Sequence, residues 1–198
     1  RNKLEFTFSD RGWIETINNE KLIINNEQWK PALGFHKPGM FDKILDINFC
    51  HLQPEPSNAI RLAVKQFALE NNMPFYNHFR KEGLLRNLII RTNLVGEVMC
   101  IFSFFKEEEE MRVKLLEHIG AKFPEISSLL YVINPKGNDT ISDLEVLLYK
   151  GKPYLFEEME GLKFKIGPLT FYQPNPKQAE RLYQIARDFV FCYTLRCS

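Results

Sequence analysis

The sequence predicts an α+β fold, in which antiparallel-rich β-structure carries about three helices. Short strand-like runs of apolar and β-branched residues recur between Gly, Pro and Asn turns. Only three segments show the 3.6-residue apolar repeat of an amphipathic helix. The order along the chain is strands, a helix, two strands, a helix and then further strands, which is typical of an α+β domain.

The N-terminal fifty residues are predicted to form an antiparallel meander. Leu4, Phe6 and Phe8 alternate with polar residues, which is the period of a half-buried strand. The chain then turns at residues 10–12. Further strand-like runs lie at residues 13–14, 22–24, 32–36 and 44–47.

The middle of the chain is predicted to contain two helices that flank a hairpin. The first helix has Ser57 as its N-cap and ends at residues 71–72. Strand-like runs at residues 88–91 and 98–105 flank a turn with Asn and Gly, which indicates a hairpin. The second helix begins at the acidic run 107–110, and Gly120 is expected to end it.

Four strands and one helix are predicted for the rest of the chain. The strands lie at residues 129–133, 146–149, 154–156 and 162–166. Asn175 is the predicted N-cap of the last helix and Pro176 its first residue. We interpret residues 167–175 as the beginning of a cofactor-binding domain. Too few residues follow the helix for a Gly-rich cofactor loop, so the rest of that domain is expected to be missing.

Composition indicates a soluble globular protein of 198 residues, with 44% hydrophobic and 26% charged residues. A formal net charge of +1 removes the simplest electrostatic argument for a nucleic-acid binder, although a local basic patch stays open. No signal peptide or membrane-spanning run is present, so we expect a cytoplasmic protein without a membrane partner. The four cysteines form no CxxC pair, which argues against a disulfide framework.

Four ordered motifs carry a resemblance to a known family. They are LGFHKPGMFDKILDINFCHL (33–52), PFYNHFRKEGLLRNLIIRT (74–92), NPKGNDTISDLE (134–145) and EGLKFKIGPLTFYQPNPKQAERLY (160–183). Together they resemble the central part of the RNA uracil-5-methyltransferases, in the branch that modifies 23S ribosomal RNA, as seen in Bacteroidetes-like bacteria. The resemblance extends over nearly the whole chain, from residue 3 to about residue 189.

The resemblance implies a three-part enzyme with an RNA-binding β-barrel, a central α+β domain carrying a 4Fe-4S cluster, and a Rossmann-like domain binding S-adenosylmethionine. Residues 1–172 match the central domain, and residues 173–198 match the first helix and stub of the third part, so most of the catalytic domain is expected to be missing. The nucleophilic cysteine and the catalytic base of the family would follow later in the chain. No residue here is therefore assigned as catalytic, and inactivity in isolation is expected.

Two site residues follow from the resemblance. Cys50 matches the fourth cysteine ligand of the cluster, whose other three ligands belong to an upstream CGGC-containing segment. In this chain alone, we expect neither a stable cluster nor bound S-adenosylmethionine, and Cys50 then behaves as a buried free thiol. Gln173 matches the glutamine of the FxQxN signature that contacts S-adenosylmethionine, and its other interpretation is a turn residue.

RNA contact is the remaining candidate function, with no role for DNA. Basic residues lie among aromatic residues at 76–79 and in a later loop, and the candidates for RNA binding are Arg80, Lys81, Arg86, Arg91 and Lys136. A solvated strand edge with core aromatics is the competing interpretation. At the level of function, the alternative to a methyltransferase fragment is a self-standing RNA-binding or protein-interaction module without catalysis.

Overall fold

The computed structural model describes residues 1–13 and 30–196, with side chains up to residue 190. The strand predicted at residues 22–24, and Ile14, lie outside the described residues. The described strands are β1 (Lys3–Ser9), β2 (Gly12–Trp13), β3 (Ala32–Lys37), β4 (Met40–Leu45), β5 (Leu85–Thr92), β6 (Val98–Phe104), β7 (Ile126–Ile133), β8 (Leu147–Gly151), β9 (Leu155–Met159) and β10 (Leu162–Ile166). The helices are α1 (Ser57–Glu70), α2 (Glu109–Lys122) and α3 (Pro176–Arg196).

Eight strands form one sheet in the order β2-β4-β3-β1-β5-β6-β7-β8, and β9 pairs with β10 as a separate hairpin. Most neighbouring strands in the sheet are antiparallel. The described residues therefore confirm the α+β class, with three helices and antiparallel-rich strands. The hairpin predicted at residues 88–105 is also confirmed, as β5 and β6.

Two pairs of strands are parallel, and one of them overturns part of the meander prediction. β2 pairs in parallel with β4, so the N-terminal strands do not follow one another across the sheet. β6 pairs in parallel with β7, because α2 carries the chain back to the end of the sheet at which β6 begins.

The main core lies between one face of the sheet and helices α1 and α2. Alternate residues of the central strands point to this face. Among the buried members are Phe6, Phe8, Leu88, Ile90, Cys100 and Phe102 from the sheet, and Ile60, Val64, Leu115 and Ile119 from the helices. A smaller apolar cluster on other residues of β5, β6 and β7 includes Ile141 and Leu155, which come from the loop after β7 and from β9.

Two helix-end predictions are wrong. Ser57 is the first residue of α1, and its hydroxyl donates to the Gln53 side-chain oxygen at 2.5 Å instead of capping the helix. The carboxylate of Glu55 accepts from the Ala59 main-chain N–H at 3.1 Å and serves one of the free N–H groups of the first turn. Gly120 does not end α2, which continues to Lys122; a Cβ at Gly120 would lie 3.2 Å from Leu129, so the glycine allows close packing on β7.

The start of α3 follows the prediction. Asn175 Oδ1 accepts from the main-chain N–H of Gln178 at 3.3 Å, which confirms the N-cap. Ala179 is buried, whereas several larger apolar side chains of this helix are exposed, among them Leu182, Ile185 and Phe189. Across the part of the chain that the structure describes, no helix is both long and apolar enough to cross a membrane.

Candidate functional site

The segment 167–174 is held against the sheet by two side chains from distant parts of the chain. Arg91, which is 6% exposed, donates from its two terminal nitrogens to the main-chain oxygens of Gly167 at 2.9 Å and Thr170 at 2.6 Å. Asn2 donates to the main-chain oxygen of Gln173 from its side chain at 2.9 Å and bonds Pro174 through its main chain. Burial lowers the pKa of the Arg91 guanidinium. The sheet therefore fixes this segment in place.

Gln173 lines an open pocket of about 400 Å³ at the start of α3. The lining residues are Arg1, Gln173, Pro174, Asn175, Gln178, Ala179 and Leu182. The main-chain oxygen of Gln173 is used by Asn2, whereas its side-chain amide has no hydrogen bond within residues 1–13 and 30–190. An amide both donates and accepts, so this side chain can make one polar contact to a ligand. Such a contact forms only one edge of a pocket that must enclose most of the ligand.

Arg86 is buried and organises the loop that follows β7. It is 1% exposed and donates to the main-chain oxygens of Asn134 at 2.8 Å, Lys136 at 2.5 Å and Asn138 at 3.0 Å. It also donates to the Asp139 carboxylate at 2.7 Å. Two of the five residues predicted to bind RNA, Arg86 and Arg91, thus direct their terminal nitrogens into the protein, where they support loops.

The other three predicted basic residues lie at the surface on two adjacent loops. The side chain of Arg80 is 64% exposed and pairs with Glu82. Lys81 is exposed, and its ammonium lies against Gly137 in the loop that Arg86 holds. Lys136 pairs with Asp143, and this hydrogen bond lowers the pKa of the Asp143 carboxyl. The ion pairs of Arg80 and Lys136 lie at the surface, where such pairs contribute little to stability.

A polar cluster that the sequence did not predict lies beside these loops. His36 Nε2 is 3.1 Å from Thr7 Oγ1 and 3.9 Å from an Asp139 oxygen. The His36 and His78 rings meet edge to face, with centroids 5.8 Å apart. Burial is the main reason that the pKa of His78 is lowered. The sequence places His36 in a strand, where alternation can turn its ring outward. Its partners Thr7, His78 and Asp139 come from distant parts of the chain, so no local pattern indicates them.

Cys50 is buried where β4 gives way to α1. It is 7% exposed, and the Asn58 side chain accepts from its main-chain N–H at 2.8 Å and donates to its main-chain oxygen at 3.1 Å. Cys100 is fully buried in β6, and burial raises the pKa of its thiol. Over the described ranges, no three His, Cys, Asp or Glu side chains are grouped to hold a metal. A 4Fe-4S cluster takes four thiolates, so the described residues supply Cys50 at most and do not fit a whole cluster.

Comparisons with known proteins find relatives over nearly the whole chain. Over 96% of its length the chain is similar to proteins named as uncharacterized RNA methyltransferases, with 49% identity to one from Porphyromonas gingivalis and 52% to one from Bacteroides thetaiotaomicron. It spans 41% and 42% of the length of those two relatives. A further relative of the same name, from Clostridium tetani, is 32% identical over 197 residues. No protein-family model matches the chain.

The fold is also found in a solved structure. The tRNA (uracil-54, C5)-methyltransferase of Pyrococcus abyssi, in complex with S-adenosyl-L-homocysteine, matches with a TM-score of 0.69. The match covers 95% of this chain and 40% of that chain, at 21% sequence identity. At this identity the likeness establishes a shared fold.

Proposed function

We propose that this chain is the central domain of an enzyme methylating carbon 5 of uridine in RNA, because it is similar over 96% of its length to proteins named as RNA methyltransferases and spans about two fifths of their length. The observation that carries the proposal is the 52% identity to a protein named as an RNA methyltransferase, over 96% of this chain. The choice of uridine rests on the four motifs that resemble the uracil-5 enzymes. The fold shared with the tRNA (uracil-54, C5)-methyltransferase of Pyrococcus abyssi supports this choice.

In this proposal, S-adenosylmethionine supplies the methyl group and Gln173 contributes one edge of its binding site. The anchoring of the segment by Arg91 and Asn2 supports the assignment, because a fixed backbone positions the free amide. The boundary after residue 172 remains a prediction. Carbon 5 of uracil becomes nucleophilic after a thiolate adds to carbon 6, and we place that thiolate and the base that follows it outside this chain.

We further propose that the substrate is ribosomal RNA and that Arg80, Lys81 and Lys136 contact its phosphates. Their surface positions on adjacent loops support direct contact. Arg86 and Arg91 would act on RNA indirectly, since their terminal nitrogens are already hydrogen-bonded to the protein. The two lysines and Arg80 supply a local cationic surface on a chain whose net charge is only +1.

Cys50 would be one thiolate ligand of a 4Fe-4S cluster whose other ligands come from outside the described residues. The clamp by Asn58 supports this role, because it fixes the backbone of the ligand from both its N–H and its carbonyl. The cluster takes no part in the methyl transfer that we propose. Its contribution would be structural.

The test uses RNA labelled with tritium at carbon 5 of uridine, incubated with S-adenosylmethionine and the longer protein that contains this chain. Methylation at carbon 5 displaces the tritium, so release equal to methyl incorporation is the expected result. Methyl transfer without tritium release would overturn the assignment to carbon 5. Separate reactions with ribosomal RNA and tRNA decide the RNA class, and this chain alone provides the reference for the isolated domain.

The other candidate is an RNA-binding or protein-interaction module without catalysis. Of these two alternatives, the exposed cations on the two loops favour an RNA-binding module. Specific binding of ribosomal RNA with no methyl incorporation by the longer protein would select that function instead.

A further inference from the structure

Two phenylalanine side chains are exposed side by side near the β2–β4 edge of the sheet. Phe41 in β4 is 67% exposed, and Phe79 in the loop before β5 is 52% exposed. Their ring centroids lie 5.5 Å apart, with 59° between the ring planes. We call this pair, with the neighbouring Arg11 and Arg80, the aromatic tip. Large rings left in water at one place contribute little to folding and mark a contact surface.

The loop that carries Phe79 is fixed by a buried asparagine. Asn77 is 1% exposed, and its side-chain oxygen accepts from the main-chain N–H groups of Phe79 at 3.0 Å and Arg80 at 2.7 Å. Its side-chain nitrogen donates to Asp10 at 2.6 Å. Phe79 and Arg80 are therefore presented from a rigid backbone, which lowers the entropic cost of binding.

One cation contacts the Phe79 ring, and others lie close to the two rings along the chain. The Arg11 guanidinium lies 5.1 Å from the centre of the Phe79 ring, and the Arg80 side chain is 64% exposed. Lys37 lies over the Trp13 ring at 3.3 Å, in the turn that leads to Phe41. The surrounding charged residues are the cations Arg11, Lys37, Arg80 and Lys81, the carboxylates Asp10 and Glu82, which both contact Arg80, and the Asp42–Lys43 ion pair.

We infer that the aromatic tip stacks unpaired bases of the RNA, while Arg11 and Arg80 contact the adjacent phosphates. Exposed rings interleaved with cations are the composition of surfaces that hold single-stranded nucleic acid. Bases within a duplex are already stacked on each other, so the rings select single-stranded loops or bulges. An excess of positive charge favours RNA over an apolar protein segment as the occupant. This inference rests on the proposed function for the identity of the partner and adds where and how the RNA is gripped.

The test measures binding of two probes to this chain: a short single-stranded RNA carrying 2-aminopurine and a duplex of the same sequence. Stacking quenches 2-aminopurine fluorescence, so the intact chain is expected to quench the single strand on binding. Phe79→Ala and Phe41→Ala are each expected to raise the dissociation constant for the single strand by about 5-fold or more. Phe79→Trp should keep or tighten binding, because stacking needs an aromatic ring of any kind.

The matched control is Phe156→Ala, which removes a ring of similar exposure (46%) from β9. This variant should bind the single strand like the unmodified chain, and thermal unfolding checks that all variants are folded. Unchanged binding by the Phe41→Ala, Phe79→Ala double variant would overturn the inference, as would an equal loss on the duplex. If the double variant keeps both its binding of the single strand and carbon 5 methylation in the longer protein, the proposed function stands and the inference fails. If binding to the aromatic tip quenches the single strand but the longer protein methylates no RNA, the inference stands and the proposed function fails.

Discussion

Arg91 donates a hydrogen bond of 2.9 Å to the main-chain oxygen of Gly167, although 76 residues separate them along the chain. The same guanidinium also bonds Thr170, and Asn2 holds the next residues. A strand residue in the middle of the sheet thus determines where the candidate cofactor-contacting segment lies.

Replacing Arg91 should release the segment 167–174. Arg91→Met leaves the main-chain oxygen of Thr170 without its donor and removes one of the two donors to the oxygen of Gly167, so we expect the free energy of unfolding to fall by about 3 kcal/mol. Arg91→Lys should lose less, because an ammonium keeps the charge but cannot reproduce the planar pair of donors. Urea unfolding measures the first effect, and limited proteolysis after Gly167 measures the release. A change below about 0.5 kcal/mol in Arg91→Met would show that the anchor is not needed.

Gln173→Ala should weaken binding of the methyl donor without destabilising the domain. The side-chain amide has no hydrogen bond within the described part of the chain, so its removal costs no internal hydrogen bond. In the longer protein we expect the Michaelis constant for S-adenosylmethionine to rise about 5- to 10-fold, the loss of one hydrogen bond. The RNA dissociation constant should not change. Gln66→Ala, on the exposed side of α1, is the control, and an equal effect there would remove Gln173 from the site.

Arg86→Met should disorder the loop that carries Lys136 and Asp139. The substitution removes the donor to Asp139 and to the main-chain oxygens of Asn134 and Lys136, and one of two donors to the oxygen of Asn138. We expect a loss of about 3 kcal/mol in unfolding free energy. Asp143→Asn, which breaks only the exposed pair with Lys136, should leave the unfolding midpoint unchanged. Hydrogen exchange at residues 134–139 locates the effect. Normal protection of residues 134–139 in Arg86→Met would show that Arg86 does not organise this loop.

His78 should make stability fall in mild acid. Its pKa in the folded protein is lowered mainly by burial, so below about 6.5 the unfolded chain binds more protons than the folded chain. The free energy of unfolding therefore decreases as the pH drops from about 6.5 toward the folded-state pKa. Asp139 favours the charged form, whereas His36 and Arg86 oppose it. Urea unfolding of His78→Gln across this range should show a smaller slope, and an identical slope would exclude His78 as the source.

Asn58→Ala should expose the Cys50 thiol. The substitution removes two hydrogen bonds to the Cys50 backbone, with an expected cost of about 2 kcal/mol. Alkylation of Cys50 by iodoacetamide should then become faster, while Cys100 stays unreactive because β6 is fully buried. Mass spectrometry of the labelled peptides distinguishes the two thiols. In the longer protein, Cys50→Ser should lower the iron content, and full retention of iron would exclude Cys50 as a ligand.

Local patterns in the sequence were sufficient for most elements and for the α3 cap. Asn175, Pro176 and Gln178 act within one turn of helix, so their spacing alone predicts the geometry that the structure has. The β5–β6 hairpin is equally local, since Asn93 and Gly96 form the turn themselves. The prediction that Gly120 ends α2 is wrong because the role of this glycine depends on Leu129 in a neighbouring strand. No helix pattern contains that information.

The site was predicted less completely, because burial of a charged residue depends on which loop returns to it. Arg86 and Arg80 look alike in the sequence, as basic residues near aromatic ones. Only the fold shows that Arg86 meets the carbonyls of residues 134–138 while Arg80 faces solvent. The same holds for Phe41 and Phe79, which are 38 positions apart in the numbering and become neighbours through the fold.

The hydrogen bonds between Asn2 and residues 173–174 bring the beginning of β1 and the approach to α3 to one point on the surface. The eight strands that the structure describes in the main sheet all lie between these two points along the chain. A segment whose two ends lie together in this way can be inserted into a surface loop of a host protein without separating the ends of that loop. A force applied to α3 is also transmitted to β1 through the hydrogen bonds of Asn2.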